Sequence, residues 1–431
     1  MKKPLWKRYS RRWLWPGLGI KRWLLLLVLA TAVISIGIMN LLLATRTAGW
    51  LPGWLFDLLT LQFLPPALQI ILPWLAGGIL LAVAVERIGQ KLIAPFPRSD
   101  AGMAETIYVH TRRQRGPSIV AIGGGTGMPA LLRGLVQYTQ NITAVVTVAD
   151  DGGSSGRLRR EFGLLPPGDF RNNIAALSRD EALMTQVLQY RFGGAVGENG
   201  RGELQGHSFG NLLLAALTGI TGSFDEALLA AERVLAMRGR VLPSTMADIR
   251  LAADVLQPDG AVQQVVGESL IPKVDGRIQR VYLQPDDVRA YPPALKAIFQ
   301  ADLVVMGPGS LYTSILPNLL IPDLAEALQR SRAPKLYVCN LATQPGETDN
   351  YTAADHVAGI LQHVPAGCLD IVLANDNLSV PPDRGGGQTV YVQPISPPNV
   401  TLVTADLVDE ARPWRHDSDK LAQAVMKLVL E

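Results

Sequence analysis

The sequence predicts an α/β protein with a doubly wound, mostly parallel sheet and a smaller insertion, preceded by two transmembrane helices. Short strands that are apolar on both faces alternate with helices after residue 118, as in parallel sheets covered on both sides. Glycine-rich loops follow several of these strands. Two long stretches without a charged residue lie within the first 94 residues, and they predict the membrane part.

Composition restricts the classes of protein to which the chain can belong. Its 431 residues are 48% hydrophobic and 18% charged, below the ~25% charged residues of average domains, so a disordered chain is excluded. Cys339 and Cys368 are the only cysteines, which excludes a disulfide scaffold and a Cys-rich zinc site. Basic residues cluster at one terminus beside an apolar run, a pattern that argues against nucleic-acid binding.

The N-terminal end is predicted to anchor the chain in the cell (inner) membrane. Residues 1–22 are basic, and residues 24–44 and 61–85 carry no charge. Each stretch is long enough to cross the hydrocarbon core, for which about 20 residues suffice. Positive-inside logic places the terminus in the cytoplasm, and a hairpin over residues 23–94 returns the chain there. A signal peptide for the first stretch and a buried core helix for the second are the alternatives.

A polar segment over residues 95–117 is predicted to be a linker, and residues 118–431 the soluble domain. Residues 241–285 are predicted to form an antiparallel insertion. The predicted strands are 118–122, 142–148, 303–306, 335–338 and 369–373. The predicted helices are 129–137, 181–191, 209–219, 223–236, 292–299, 322–330 and 353–362.

Two glycine loops are predicted to bind an anion. Each follows a strand and precedes a helix, whose N-terminus presents free N–H groups to a negative charge. Neither loop is a Walker A motif, because no Lys-Ser/Thr pair follows. A plain tight turn is the alternative for the first loop, and a turn with a helix N-cap is the alternative for the second. The residues concerned are Gly123, Gly124, Gly125, Thr126 and Gly127 in the first loop, and Gly307, Gly309, Ser310 and Thr313 in the second.

Four further polar segments complete the predicted site, because most of them follow strands and ligands bind at the carboxyl ends of strands in such sheets. Asp150 and Asp151 are candidates for holding Mg²⁺, and with His207 they are the candidate catalytic residues. A flexible loop for 148–156 and a helix N-cap at Asp169 or Asn172 are alternatives. The other candidate ligand-binding residues are Ser154, Ser155, Asp169, Arg171, Asn172, Asn173, Asn211, Gln344 and Glu347. Jointly, the loops indicate a phosphorylated, nucleotide-like ligand.

The combination of these motifs in this order resembles the YvcK/CofD-like family, the gluconeogenesis-factor group, and more closely its YvcK branch. The resemblance covers residues 117–430. It rests on GGGTG at 123–127, VADDGGSSGRLR at 148–159, PPGDFRNN at 166–173, HSFGN at 207–211, GPGSLYTSILPNLL at 307–320 and TQPGETD at 343–349. It implies a Rossmann-like fold and a nucleotide cleft built from the residues named above.

The resemblance implies two functions. For the YvcK branch it implies binding of a UDP-sugar such as UDP-N-acetylglucosamine and a role in cell shape and wall metabolism. For the CofD branch it implies transfer of a 2-phospholactyl group from a nucleotide-diphosphate donor, with Mg²⁺. Whether this chain turns over a substrate stays open. A nucleotide-sugar ligand, the membrane, cell-wall synthesis proteins and a homo-oligomer are the expected partners. A Rossmann oxidoreductase is a third alternative.

Overall fold

The computed structural model describes residues 20–50, 52–93, 116–193, 204–379, 382 and 390–430. The chain divides at residue 112 into two compact units, called here the first unit (residues 1–112) and the second unit (residues 113–431). The described part of the first unit is helical, with α1 Ile20–Thr47, α2 Gly53–Leu59 and α3 Pro66–Ile93. Most of the predicted basic terminus and of the predicted linker lies outside the described residues.

Of the predicted pair of membrane helices, the described residues support one. Among the described residues, Leu29–Thr47 within α1 is the only unbroken helix long and apolar enough to cross a membrane. The predicted second span at 61–85 stays a prediction: α3 runs from Pro66 to Ile93, and the apolar helix recognised among the described residues there is Pro66–Leu80. A signal sequence would pass the same test as α1. A bent helix pair, Phe209–Thr221 with Phe224–Val234, passes the test only when taken as one span.

The second unit alternates strands and helices, as predicted. Its strands are β1 Ile119–Gly123, β2 Ile142–Val146, β3 Arg240–Pro243, β4 Arg250–Leu256, β5 Val262–Val266, β6 Arg277–Gln284, β7 Leu303–Met306, β8 Lys335–Val338, β9 Ile371–Asn375 and β10 Thr401–Ala405. Its α-helices are α4 Met128–Leu135, α5 Gly153–Phe162, α6 Gly168–Leu177, α7 Glu181–Gln189, α8 Phe209–Thr221, α9 Phe224–Val234, α10 Pro292–Phe299, α11 Leu316–Leu319, α12 Pro322–Arg330, α13 Ala353–His363 and α14 Ser418–Leu430.

Seven strands form one parallel sheet in the order β10-β9-β8-β7-β1-β2-β3. Every residue of β1 and β7 is buried, because helices cover both faces of the sheet. The chain winds outward from β1 in one direction through β2 and β3, and in the other through β7 to β10. Strand order therefore reverses between β1 and β7, the place where doubly wound sheets bind their ligands. The predicted fold class is confirmed for this unit.

The predicted insertion is also confirmed as an antiparallel sheet, with strand order β5-β4-β6. Alternate residues of β4 point into the core, among them Leu251, Ala253 and Val255. The outer edge of β6 meets α13, where the Val281 N–H donates to His363 Nε2 at 3.0 Å. The insertion is thereby fixed to the parallel domain.

Residues 148–156 were expected to form a loop and residues 166–173 a rigid turn, but the C-terminal part of each segment is helical. Helix α5 begins at Gly153 and α6 at Gly168, so Ser154, Ser155 and Asp169 belong to first helical turns. The glycines were interpreted as loop residues, but in the structure they allow close packing. A methyl group at Gly156 would overlap the backbone of Asp151, 2.7 Å from its carbonyl carbon. Strands β3 and β10 and helix α14 were not predicted.

Candidate functional site

The two glycine loops lie at the carboxyl ends of β1 and β7 and touch through their backbones. A methyl group at Gly127 would stand 2.7 Å from the carbonyl carbon of Pro308 and 2.9 Å from the Gly309 nitrogen. Gly307 has φ +82°, a left-handed conformation that favours glycine, and its N–H donates to the Ile122 carbonyl at 2.8 Å. Both loops therefore depend on glycine for their shape and close contact.

A cavity of about 500 Å³ opens beside these loops. One wall consists of residues predicted from the sequence, namely Thr126, Gly127, Gly309, Ser310 and Gln344. The Gln344 amide donates to Ser310 Oγ at 2.8 Å, which ties the loop after β8 to the second glycine loop. The cavity therefore occupies the position at which the strand order reverses.

The opposite wall of the cavity is the segment between β10 and α14, which the sequence interpretation missed. Arg412 forms an ion pair with Asp409 at 3.1 Å. The His416 Nε2 lies 3.2 Å from the Cys339 carbonyl oxygen, and burial lowers the pKa of His416 to about 4, so the neutral ring donates this hydrogen bond. Trp414 and Arg415 line the cavity with them. The Arg415 guanidinium has no hydrogen bond or ion pair with any described residue.

Five acidic residues form a second feature, named here the carboxyl cluster: Asp150, Asp151, Asp169, Glu268 and Glu347. The charges of the other four raise the pKa of Glu268, so each of them lies near Glu268. The sequence interpretation missed Glu268, which lies in the turn after β5 of the insertion. The Ser269 N–H donates to Asp151 Oδ1 at 3.0 Å, and this bond fixes the turn against the loop after β2.

Burial raises the pKa of several groups in the carboxyl cluster. Burial, and then the neighbouring carboxylates, raise the pKa of Glu268 to about 8. Burial and the charge of Asp150 raise the pKa of Asp169 to about 7. Burial raises the pKa of Glu347 to about 7, although Thr313 Oγ1 donates to its Oε1 at 3.1 Å. The cluster therefore retains protons near neutral pH until a ligand or cation compensates its charge.

One arginine serves as the buried counter-charge of the cluster. Arg171 is 8% exposed, and its charge partly offsets the rise that burial causes in the pKa of both Asp150 and Asp169. Its guanidinium donates to Ser208 Oγ at 2.6 Å, to Asn211 Oδ1 at 3.2 Å and to Asn172 Oδ1 at 3.0 Å. These three acceptors fix the guanidinium beside the carboxyl groups.

The remaining predicted residues form a network behind Arg171. The Asn211 amide donates to Ser154 Oγ at 3.1 Å, and Ser154 Oγ lies 3.0 Å from His207 Nδ1. Burial lowers the pKa of His207, so the ring is neutral and accepts the serine proton. The Asn173 amide donates to the carbonyls of Gly124 and Asp169, at 3.1 and 2.9 Å. The network positions the first turns of α5 and α6 against the first glycine loop.

The two predicted metal ligands are held by backbone groups. Gly152 N–H donates to Asp150 Oδ1 at 2.9 Å, and Asp151 accepts from Ser269. Among the described residues, no group of three His, Cys, Asp or Glu side chains has the geometry of a metal site. Mg²⁺ often binds through one or two carboxylates together with substrate phosphates. Asp150 and Asp151 therefore fit Mg²⁺ only as partners of a phosphate-bearing ligand.

The comparisons with known proteins agree with this geometry. A family model described as 2-phospho-L-lactate transferase CofD matches residues 119–429. A gluconeogenesis-factor homologue from Nostoc is 46% identical over 81% of this chain and 75% of its own. The gluconeogenesis factor of Bacillus subtilis is 51% identical over 60% of this chain and 77% of its own.

A solved structure of a relative matches most of this chain. The crystal structure of a UPF0052 family member from Bacillus halodurans has a TM-score of 0.64 and 43% sequence identity. The match covers 72% of this chain and 99% of that chain. The crystallised chain is thus matched almost entirely by about three quarters of this chain, and we expect residues 113–431 to fold by themselves.

Replacing Glu268 with glutamine is expected to stabilise the second unit at pH 8.5 and to change little at pH 5. The folded-state pKa of about 8 lies above the ordinary value of 4.5. Stability that comes from the protonated form is complete below the ordinary value and is lost as the pH rises through 8. At pH 8.5 the variant should gain about 2 kcal/mol in the free energy of unfolding. Urea unfolding at both pH values measures the difference.

Glu326→Gln is the matched control for this prediction, because Glu326 lies on the outer face of α12 and pairs with the exposed Arg330. Its effect should be equal at the two pH values. An equal effect of Glu268→Gln at both pH values would contradict the electrostatic description of the cluster.

Proposed function

The chain belongs to the CofD family, and on that premise we propose that its second unit binds a UDP-sugar of the UDP-N-acetylglucosamine type. In this proposal the protein is a membrane-anchored gluconeogenesis factor that regulates cell shape and cell-wall metabolism. The observation that carries the proposal is the cavity at the reversal of strand order, with the backbones of two glycine loops along one wall. Such loops favour a diphosphate, because their N–H groups approach it closely.

The second wall of the cavity carries side chains that can bind the phosphates and the base of a nucleotide. Arg415 is exposed and uncommitted among the described residues, so its guanidinium is available for a bidentate contact with a phosphate. Trp414 offers an aromatic face for stacking against a base. The neutral His416, with Nε2 donating to Cys339, keeps Nδ1 as an acceptor. A nucleoside diphosphate fits this combination of cation, aromatic ring and acceptor.

Replacing Arg415 with alanine tests this proposal directly. Loss of a charge-assisted contact to phosphate should weaken the affinity for UDP-N-acetylglucosamine by about tenfold. Isothermal titration calorimetry on residues 113–431 measures the change. The control is Arg330→Ala, which removes an exposed guanidinium outside the cavity and should leave the affinity unchanged. Equal affinities for Arg415→Ala and the unmodified unit would contradict the assigned position of the phosphates.

A transferase that uses a nucleotide-diphosphate donor and Mg²⁺ is the second candidate. The carboxyl cluster beside the first glycine loop favours it, as does the description of the family model. In this reaction Asp150 and Asp151 would hold the cation against the donor phosphates, and the cation would neutralise developing charge. Release of nucleotide in the presence of a deazaflavin acceptor, lost in Asp150→Asn, would establish this activity. No release with any donor would exclude it.

The remaining proposals concern location and partners. We propose that α1 anchors the protein in the cell membrane with the second unit in the cytoplasm, beside cell-wall synthesis proteins, and that the protein is a homo-oligomer. The uncharged stretch of α1 supports the anchor. A protease added outside intact cells should leave the second unit uncut. Its digestion would contradict the proposed topology.

A further inference from the structure

The cavity and the carboxyl cluster lie along different parts of the same loops. In the first glycine loop, Thr126 and Gly127 line the cavity, whereas Gly125 lies against Asp169. The loop after β8 is divided in the same way, because Gln344 lines the cavity and Glu347 faces the cluster. A ligand whose diphosphate lies on these loops therefore has its nucleoside in the cavity and its attached group at the cluster.

Two buried acceptors at the cluster lack donors. Glu347 is 8% exposed and Asn173 is fully buried. Neither Glu347 Oε2 nor Asn173 Oδ1 has a hydrogen-bond partner among the described residues. A buried acceptor without a donor is unfavourable, so such atoms indicate a place where a ligand supplies the donor. Hydroxyl groups are donors of this kind.

We propose that the carboxyl cluster binds the group attached to the diphosphate and selects a neutral, hydroxyl-rich group over one that carries a carboxylate. The proposal rests on the proposed function and names the selectivity of the same site. Once the pH is high enough to ionise them, the five carboxyl groups with Arg171 as their buried counter-charge repel a further anion. The same oxygens accept hydrogen bonds from a sugar. Selectivity thus arises both from charge repulsion of a carboxylate and from hydrogen bonds donated by the hydroxyl groups of a sugar.

Glu268 is the member of the cluster that sets this selectivity. It is the only one of the five on the antiparallel insertion, and it faces the other four. The backbone bond from Ser269 to Asp151 holds its turn in place without the Glu268 side chain. The charge at this position can therefore be changed while the loops that hold the diphosphate stay intact.

The selectivity also bears on the transferase alternative. A phospholactyl donor carries a carboxylate next to its diphosphate, so the cluster repels it in the absence of a divalent cation. A neutral hexose meets no such repulsion. The cluster therefore favours a nucleotide-sugar when no cation is bound.

UDP-glucose and UDP-glucuronate test the proposal, because they differ only in a hydroxymethyl group and a carboxylate on the sugar. We expect residues 113–431, in buffer at pH 8.5 with EDTA, to bind UDP-glucuronate about tenfold more weakly than UDP-glucose. Glu268→Lys should remove or reverse this preference, and Glu268→Gln should reduce it. Glu326→Lys, an equal charge change on α12, should leave the preference unchanged. Calorimetry measures all affinities, and Glu268→Gln serves alone if the lysine variant does not fold.

Binding of UDP without a sugar distinguishes a failure of the sugar selectivity from a failure of the proposed nucleotide site. If UDP binds and both sugar nucleotides bind equally, the selectivity is wrong while the nucleotide site stands. If the preference exists but persists in both Glu268 variants, the assignment to Glu268 is overturned. If UDP itself does not bind, the proposed function fails and this inference fails with it.

Discussion

Replacing Gly127 with alanine is expected to weaken nucleotide binding by about 100-fold and to destabilise the second unit. The new methyl group would overlap the Pro308 carbonyl group, which is backbone and cannot rotate away. The two glycine loops must then separate. Overpacking of this kind costs about 1–3 kcal/mol, and a displacement of about 1 Å in a binding site can cost 100-fold.

Chemical denaturation and calorimetry on residues 113–431 measure both effects. Gly219→Ala is the control, because Gly219 lies within α8 and a methyl group there would meet nothing within 4 Å. It should leave binding unchanged and slightly raise stability, since alanine favours helix. Normal nucleotide affinity in Gly127→Ala would contradict the placement of the diphosphate on the paired loops.

Replacing Arg171 with methionine is expected to have the largest effect on stability. The substitution keeps much of the side-chain volume but leaves Asp150 and Asp169 without their buried counter-charge. Loss of the three hydrogen bonds that the guanidinium donates, together with its charge near the carboxyl groups, should cost about 3 kcal/mol or more. Ser208 and Asn211 would also lose their donor.

The loss should be greatest at high pH, where the carboxyl groups are charged, and smaller near pH 5. Arg171→Lys should rescue only part of it, because an ammonium cannot reach three acceptors in the planar geometry of a guanidinium. Urea unfolding of both variants measures the free energies, and Arg330→Met is the exposed control. A loss for Arg171→Met no larger than that of the control would contradict the role of Arg171 as counter-charge.

The parallel sheet could be predicted because its central strands are short, mostly apolar runs, and β1 and β7 lead directly into glycine loops. Leu303–Met306 and Lys335–Val338 form strands with the predicted limits, and helix Pro322–Arg330 also agrees. Strand β10 was harder to recognise, because it lies at the edge of the sheet and Thr401 and Thr404 are exposed. Helix α5 was missed because its glycines resemble a loop, although packing against Asp151 requires one of them.

The glycine loops of the candidate site could be predicted from sequence because their function depends on local backbone shape. Glu268 could not, because its role arises only when the insertion folds back over the loop after β2. The wall of the cavity that contains Arg415 was missed for the same reason, because this segment meets the glycine loops only in the folded chain. Trp414 was a usable signal, since it is the only tryptophan after residue 74 and lies between arginines at 412 and 415.

Trp414 also makes the most direct test of the central claim, that a nucleoside diphosphate occupies the cavity between the glycine loops and the segment before α14. It is the single tryptophan of residues 113–431, so its fluorescence reports on this cavity alone. Titration with UDP-N-acetylglucosamine should change that fluorescence in a saturable way, and Gly127→Ala should shift the titration to about 100-fold higher concentration. No change with UDP-N-acetylglucosamine, UDP or GDP, with or without Mg²⁺, would contradict the account.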